Sequence, residues 1–427
     1  MNSKFIKELS DLVQNEVISQ EVALNIENYY KSKQEDSSNR LFTIFGVLGS
    51  LLVGLGIILI LAHNWDNFSR MIKTVFAFIP LVIGQLIVGY TILKKKSSTW
   101  REASGTFLFF AVGACMALVA QIYNIPGDLS SFLLTWTLLC IPLIYLLKSN
   151  ALALLSIIFT TYYACVYGYS FMSTSKTPWL YLLLLALIIP HYLMLLKERS
   201  KANITSIFNW LLPLSLVICL GTFVGSDNQA GFFMYIILFG LFYNIGKFSF
   251  FETQNLRRNG YLIIGSLGTV ILLLSTSFKW FWKEQINDVF VGSNEFYIAL
   301  ALFLCAFTVL LYLYSKNRFK ELNLFQYVFI IFGILFLIGF SNVIIPTILV
   351  NVLILALGLI AIKTGVNKFH FGILNYGLLI ITALVVCRFF DTNISFVIRG
   401  LLFVSVGVGF FLTNYMMLKR QKTRAKQ

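Results

Sequence analysis

Three groups of polar residues interrupt an otherwise apolar chain, and they carry what chemistry the sequence offers. The first is Asn64, Trp65 and Asp66, preceded by His63 and followed by Arg70 and Lys73. The second is Gln121, followed by Tyr123, Asn124, Pro126, Gly127 and Asp128. The third is Arg388, Asp391 and Arg399. Carboxylates such as Asp66 and Asp128 can act as general bases. The guanidinium groups of Arg388 and Arg399 can hold a phosphate or carboxylate through paired N–H bonds. Each group also has a plainer reading. Trp65 suits a membrane–water interface, and Gln121 can bond a neighbouring helix or line an aqueous pocket. Arg388 can pair with Asp391, and Arg399 can reach back to the headgroups. No recognisable catalytic constellation emerges, so the catalytic residues stay unassigned.

Other polar residues lie deeper in apolar segments. His191 follows Pro190, and Asn351 and Asn375 sit within later segments; interhelical hydrogen bonding is the expected role of all three. The three histidines, His63, His191 and His370, are far apart, so neither a haem nor a zinc site is expected, and no metal or cofactor is assigned. Cys115, Cys140, Cys165, Cys219, Cys305 and Cys387 fall one per apolar block without a CxxC spacing and read as small core residues. Gly46, Gly49, Ser50, Gly54 and Gly56 read as a close-packing stripe, because a phosphate-binding loop needs a preceding strand. Trp280 and Trp282, with Lys279 and Lys283, read as an interface belt.

The elements that must position these residues follow from composition. With 58% apolar and 12% charged residues and a mean hydropathy of +0.81, the chain carries more apolar surface than a water-soluble interior can hide, so a lipid bilayer is its expected partner. The apolar residues come in blocks of about twenty, the length of a membrane-crossing helix rather than of a barrel strand. Spans are expected at Leu41–Ala62, Met71–Leu93, Ala103–Tyr123, Ser131–Leu147, Ala151–Phe171, Trp179–Leu196 and Ile204–Val224. Seven more fall at Ala230–Ile245, Tyr261–Phe278, Phe296–Ser315, Leu324–Phe340, Val343–Ile362, Phe371–Phe389 and Phe396–Met417. The expected fold is an all-α polytopic membrane bundle of about 14 transmembrane helices. The net charge of +15 is spread over short clusters between blocks, which argues against nucleic acid as a partner. Assigning the connections alternately puts 26 of the 33 Lys and Arg on one side, which the positive-inside rule makes cytoplasmic, with both termini inside. Under that topology the three polar groups all face the outer leaflet and would form one external site. The tight pair Leu324–Phe340 and Val343–Ile362 is the place where a re-entrant segment would change the count. Fourteen also divides into two sevens, which an internal duplication would have to invert, a transporter device.

Residues 1–40 read as a cytoplasmic helical hairpin, 41–417 as the transmembrane domain and 418–427 as a basic cytoplasmic tail. In the hairpin Phe5, Ile6, Leu9, Leu12 and Val13 make one apolar face, and Ser19 is placed to cap a second helix bearing Val22, Leu24, Ile26 and Tyr29. The segment rests on the membrane or the protein's inner face, or recruits a cytoplasmic partner. It carries no signal-peptide pattern.

One ordered set of motifs points to a family. Val17-Ile18-Ser19-Gln20-Glu21 is followed by a glycine-rich span ending Ala62-His63-Asn64-Trp65-Asp66, then by Ala120-Gln121-Ile122-Tyr123, Gly127-Asp128 and Trp136. This order resembles the bacterial predicted membrane proteins grouped as domain of unknown function twenty-one fifty-seven, over roughly the first 150 residues. The resemblance implies a multi-pass protein of the bacterial cytoplasmic (inner) membrane and brings no activity or site residue with it.

Three functions remain open. Span number, short connections and polar residues at helix ends suit a transporter or a flippase of lipids or envelope precursors. Asp66 or Asp128 with Arg388 or Arg399 would suit an envelope enzyme acting on a lipid-linked or small-molecule substrate at the outer face. A non-catalytic scaffold or sensor would use residues 1–40 to bind its partner.

Overall fold

A computed structural model describes residues 11–15, 17–26, 44–53, 55–56, 59, 68–169, 176–224, 228–252, 255–284, 294–315, 323–391 and 396–424. Among them there is no strand. The helices are α1 (Ile44–Val53), α2 (Arg70–Leu93), α3 (Ser98–Ile122), α4 (Leu129–Leu147), α5 (Asn150–Gly168), α6 (Trp179–Glu198) and α7 (Asn203–Leu220). They continue with α8 (Asn228–Ile245), α9 (Gly260–Thr276), α10 (Asn294–Ser315), α11 (Val328–Gly339), α12 (Ile344–Asn367), α13 (Phe371–Asp391) and α14 (Phe396–Arg424). Nine of the described helices are long and apolar enough to cross a membrane, and there are shorter apolar helices besides, Ile44–Val53 ahead of the nine and the others between them. Even the most enclosed of the nine buries only 50% of its most apolar window inside the protein. The remaining apolar surface points outward, which only hydrocarbon tolerates on this scale.

The chain divides into two compact units, residues 1–166 with 179–193, and residues 167–178 with 194–427. This boundary falls inside α6, not between α7 and α8 where two equal sevens would place it.

In the first unit α2 and α3 form a tight hairpin. Its turn contains Lys95 at φ 46°, and Tyr123 at the end of α3 meets Thr74 at the start of α2 through their hydroxyls, 3.1 Å apart. Ala77, Leu118 and Ile122 are buried between the two helices. Trp136 on α4 packs on Phe109 and Phe159, with ring centroids 5.3 and 4.5 Å away. Its indole N–H donates to the Phe109 carbonyl at 2.8 Å. The α4–α5 turn pivots on Lys148 at φ 49°, and Tyr145 of α4 donates to the Leu187 carbonyl of α6.

In the second unit α8 packs against α9, α10 and α11, while α12 and α13 form the most extensive helix pair. Amides close the ends of this bundle. Asn244 and Gln326 bond reciprocally at 3.2 Å. Asn259 caps α9 through Leu262 N–H and donates to the Gly246 carbonyl at 2.7 Å. The bonds to the Gln326 and Gly246 carbonyls and from the Leu262 N–H satisfy backbone that a helix terminus would leave bare in an apolar setting.

The expected interhelical roles of the deep polar residues are met. His191 bonds Asn150 at 3.1 Å, Asn351 donates to the Ser277 carbonyl at 3.0 Å, and Asn375 accepts from Asn414 at 3.1 Å. Ser19 caps residues 20–26 through Val22 N–H at 3.4 Å. Two expectations need correction. Trp282 is fully buried, its indole N–H given to the Thr276 carbonyl at 2.8 Å, because the short helix Lys279–Glu284 folds back; Trp280 alone is exposed. Cys305 is exposed on α10 rather than part of a core, whereas Cys115, Cys140 and Cys219 are buried. In the glycine stripe, a Cβ on Gly46 would touch Thr99 and Ala103 at 3.8 and 3.9 Å, while Gly49 and Gly56 face open space among the described residues.

Candidate functional site

Of the residues expected to form an external site, Asn64, Trp65 and Asp66 lie outside the described residues. Gln121 and Asp128 stand close in sequence at the α3–α4 connection, both exposed. Asp128 is the N-cap of α4, its carboxylate accepting from the Ser131 N–H and the Ser130 hydroxyl, both at 2.6 Å. Those bonds, led by the Ser130 hydroxyl, hold its carboxyl below the ordinary range. Arg388 sits near the end of α13, donating to the Ser277 hydroxyl at 3.1 Å and lying 4.6 Å over the Phe278 ring. Asp391 ends α13, and Arg399 lies in the first turn of α14.

Two further features come from residues the sequence reading passed over. One is a groove of about 540 Å³ in the first unit, between α2, α3 and α4. Its walls are aliphatic, including Val88, Leu108, Val112 and Leu143, and Gln85 is the amide that lines it. Gln85 is exposed, about 12 Å along the axis from the Leu93 end of α2. It forms no hydrogen bond with another described residue, an expensive state for an amide at that depth in hydrocarbon. Gly89 borders the groove, and a Cβ there would meet nothing within 4 Å.

The other is Glu102, on the second turn of α3 and only 5% exposed. Its carboxylate sits at the N-terminus of α5. It accepts from the backbone N–H groups of Asn150 (3.0 Å) and Ala151 (2.9 Å), from Asn150 Nδ2 (3.3 Å) and from the Ser149 hydroxyl. Ser149 Oγ in turn accepts from Leu152 N–H at 3.2 Å. The positive end of the helix dipole and these donors balance the buried charge. The signal for Glu102 was its position, an acid at the very edge of an apolar block, but its partners lie nearly fifty residues further on.

Helices long and apolar enough to span a bilayer, arranged around buried amides and an outward apolar surface, define a polytopic helical membrane protein. Residues 10–153 match the model of a family described as "Predicted membrane protein (DUF2157)", the family that the sequence motifs resemble. No curated protein and no solved structure matches the chain. Several residues that carry the family resemblance do structural work. Ile122 is core, Tyr123 ties α3 to α2, Asp128 caps α4 and Trp136 joins α4 to α3. The matched stretch also contains Gln85, Glu102, Ser149 and Asn150.

Proposed function

We propose that the protein moves a membrane-resident amphiphile, a lipid or an envelope precursor, as a transporter or flippase of the bacterial cytoplasmic membrane. The groove carrying Gln85 is the observation that supports this reading. An aliphatic trough opening on the bilayer suits an acyl chain, with each buried methylene contributing about 0.8 kcal/mol. A polar group held at the depth of Gln85 gives the ester or hydroxyl region of such a molecule a partner that hydrocarbon lacks. The external residues belong to the proposal as headgroup contacts on the outer face, Asn64, Trp65, Asp66, Gln121 and Asp128 in the first unit and Arg388, Asp391 and Arg399 in the second.

The test is movement of head-labelled phospholipids across proteoliposomes, comparing wild type with Gly89→Phe and Gln85→Leu. Because Gly89 faces open space, the phenyl group fills the trough without displacing a helix. Protein-dependent movement that falls at least about tenfold in Gly89→Phe, with unchanged folding, is the expected result. Equal rates in wild type, both variants and empty liposomes, for zwitterionic, anionic and polyisoprenyl-phosphate lipids alike, would discard the reading.

A further inference from the structure

The groove between α2, α3 and α4 runs from Leu81 to Ile92 along α2 and from Leu139 to Leu146 along α4. On α2 that is about 16 Å, the depth of one leaflet in a hydrocarbon core of roughly 30 Å. The groove stops where both helices stop, at turns that carry lysine. Lys94, Lys95 and Lys96 come just after Ile92, and Lys148 just after Leu146. Both turns lie at one end of the unit, because Glu102, near the start of α3, accepts from the backbone N–H groups of Asn150 and Ala151. Three features set this end apart from cations that only mark topology. First, α2 and α4 close alike. The Lys96 and Lys95 N–H groups donate to the Thr91 and Ile92 carbonyls, and those of Ser149 and Lys148 to the Ile144 and Tyr145 carbonyls. The left-handed position of each turn is a lysine, at φ 46° and 49°, where glycine would avoid the steric cost. Second, Arg101 precedes Leu108 by seven residues and Val112 by eleven, which puts it on the stripe of α3 that lines the groove. Its Nε is buried without a hydrogen-bond partner among the described residues. Third, the acids of residues 70–168 are Asp128, at the opposite end of α4, and Glu102, whose carboxylate is taken up by the start of α5. Lys94, Lys95, Lys96 and Lys148 form no ion pair with another described residue.

We propose that the groove holds a chain of an anionic phospholipid from the leaflet at this end, its phosphate bound by Arg101, Lys94, Lys95, Lys96 and Lys148. The proposal rests on the groove being an acyl-chain site, and adds the class of headgroup and the leaflet from which the molecule enters. The positive-inside rule assigns that leaflet to the cytoplasmic side. A phosphate here gives Arg101 an acceptor for its N–H groups and supplies the counter-charge that the protein lacks at this end. A zwitterionic head brings its own cation and forfeits most of that gain. An acyl chain without a charged head fills the groove but leaves the cations as they were.

Native mass spectrometry of the full chain tests it, with phosphatidylglycerol and phosphatidylcholine of identical palmitoyl and oleoyl chains as the probes. Wild type should retain one phosphatidylglycerol with a preference of at least about tenfold over phosphatidylcholine. Lys95→Gly combined with Lys148→Gly removes two cations at positions where glycine suits the backbone, so this variant should unfold at an unchanged or higher temperature. Its preference should nevertheless fall to within about threefold. Gly89→Phe keeps every cation and should release both lipids. A full preference surviving in the double glycine variant would overturn the proposal by placing the phosphate elsewhere. Phosphatidylglycerol retained by Gly89→Phe as by wild type would overturn it too, since the cations would then attract lipid without the groove. Equal retention of the two lipids by wild type, with both lost in Gly89→Phe, would overturn the headgroup assignment and leave the groove as an acyl-chain site. Only if wild type retains neither lipid is the acyl-chain reading of the groove lost with it.

Discussion

Gly113 and Trp136 meet across the α3–α4 interface so closely that a Cβ on Gly113 would overlap the indole ring. The indole is held from the other side by its bond to the Phe109 carbonyl and by Phe159, so it has no room to yield. Gly113→Val should therefore lower stability by about 1–3 kcal/mol in thermal unfolding of the solubilised protein. The same change in a Trp136→Leu background should cost much less, since the two sites share one contact; equal costs would mean the strain lies elsewhere. Trp136 was visible in the sequence as part of an ordered motif, yet nothing in its neighbourhood marked Gly113 as its partner. The same distance in sequence hid the role of Glu102, which reads as one more charge beside Arg101 until Ser149 and Asn150 are brought to it. Trp282 was misread for the opposite reason. Its local pattern of Lys and Trp is that of an interface, and only the fold-back of Lys279–Glu284 puts the indole inside. Local hydrogen bonding was readable where partner and acceptor share a turn, as Ser19 with Val22 shows.

At the scale of elements, helix positions were legible because the bilayer imposes a length on every apolar block. Helix contacts were not, because every face of such a block is apolar and periodicity selects no neighbour. The α12–α13 pair illustrates this. A Cβ on Gly377 would come within 2.6 Å of Ile362 N and 2.7 Å of Gly358 O, and one on Gly365 would overlap the Leu374 backbone. Backbone meets backbone there, so neither helix can relieve a larger side chain by changing rotamer. Gly377→Leu should cost more than about 3 kcal/mol or prevent folding, whereas Gly400→Leu, which meets no described atom within 4 Å, should stay within about 0.5 kcal/mol. Yield of monodisperse protein and unfolding temperature compare the two. A tolerated Gly377→Leu would show that α12 and α13 stand further apart than described.

For the whole molecule, the question is how many helices cross, and α11 is one of the shorter apolar helices on which the count turns. Its twelve residues span about 18 Å, short of the roughly 30 Å of hydrocarbon, although the 3-10 turn Leu324–Gln326 precedes it. The chain then reverses within residues 340–343, and α12 packs beside α11. If α11 crosses with its termini drawn into the interface, α12 starts on the outer side, and Lys363, Lys368 and the cations from Lys419 onward end inside. If α11 only enters and returns, those same cations are placed outside, against the charge rule. At the other end of the chain, the contact of Gly46 with Thr99 and Ala103 puts the beginnings of α1 and α3 at one membrane face, as alternation requires. We therefore expect a carboxy-terminal reporter to read cytoplasmic, and Ser341→Cys, in a background without the native cysteines, to react with an impermeant maleimide from outside only. Ser341 is exposed at the turn, so access is not limited by packing. A reporter reading outside, or labelling of Ser341→Cys from inside alone, would make α11 re-entrant and reduce fourteen crossings to thirteen. It would also move Arg388 and Asp391 away from the face assigned to Asp66 and Asp128, and no single external site could then be assembled from them.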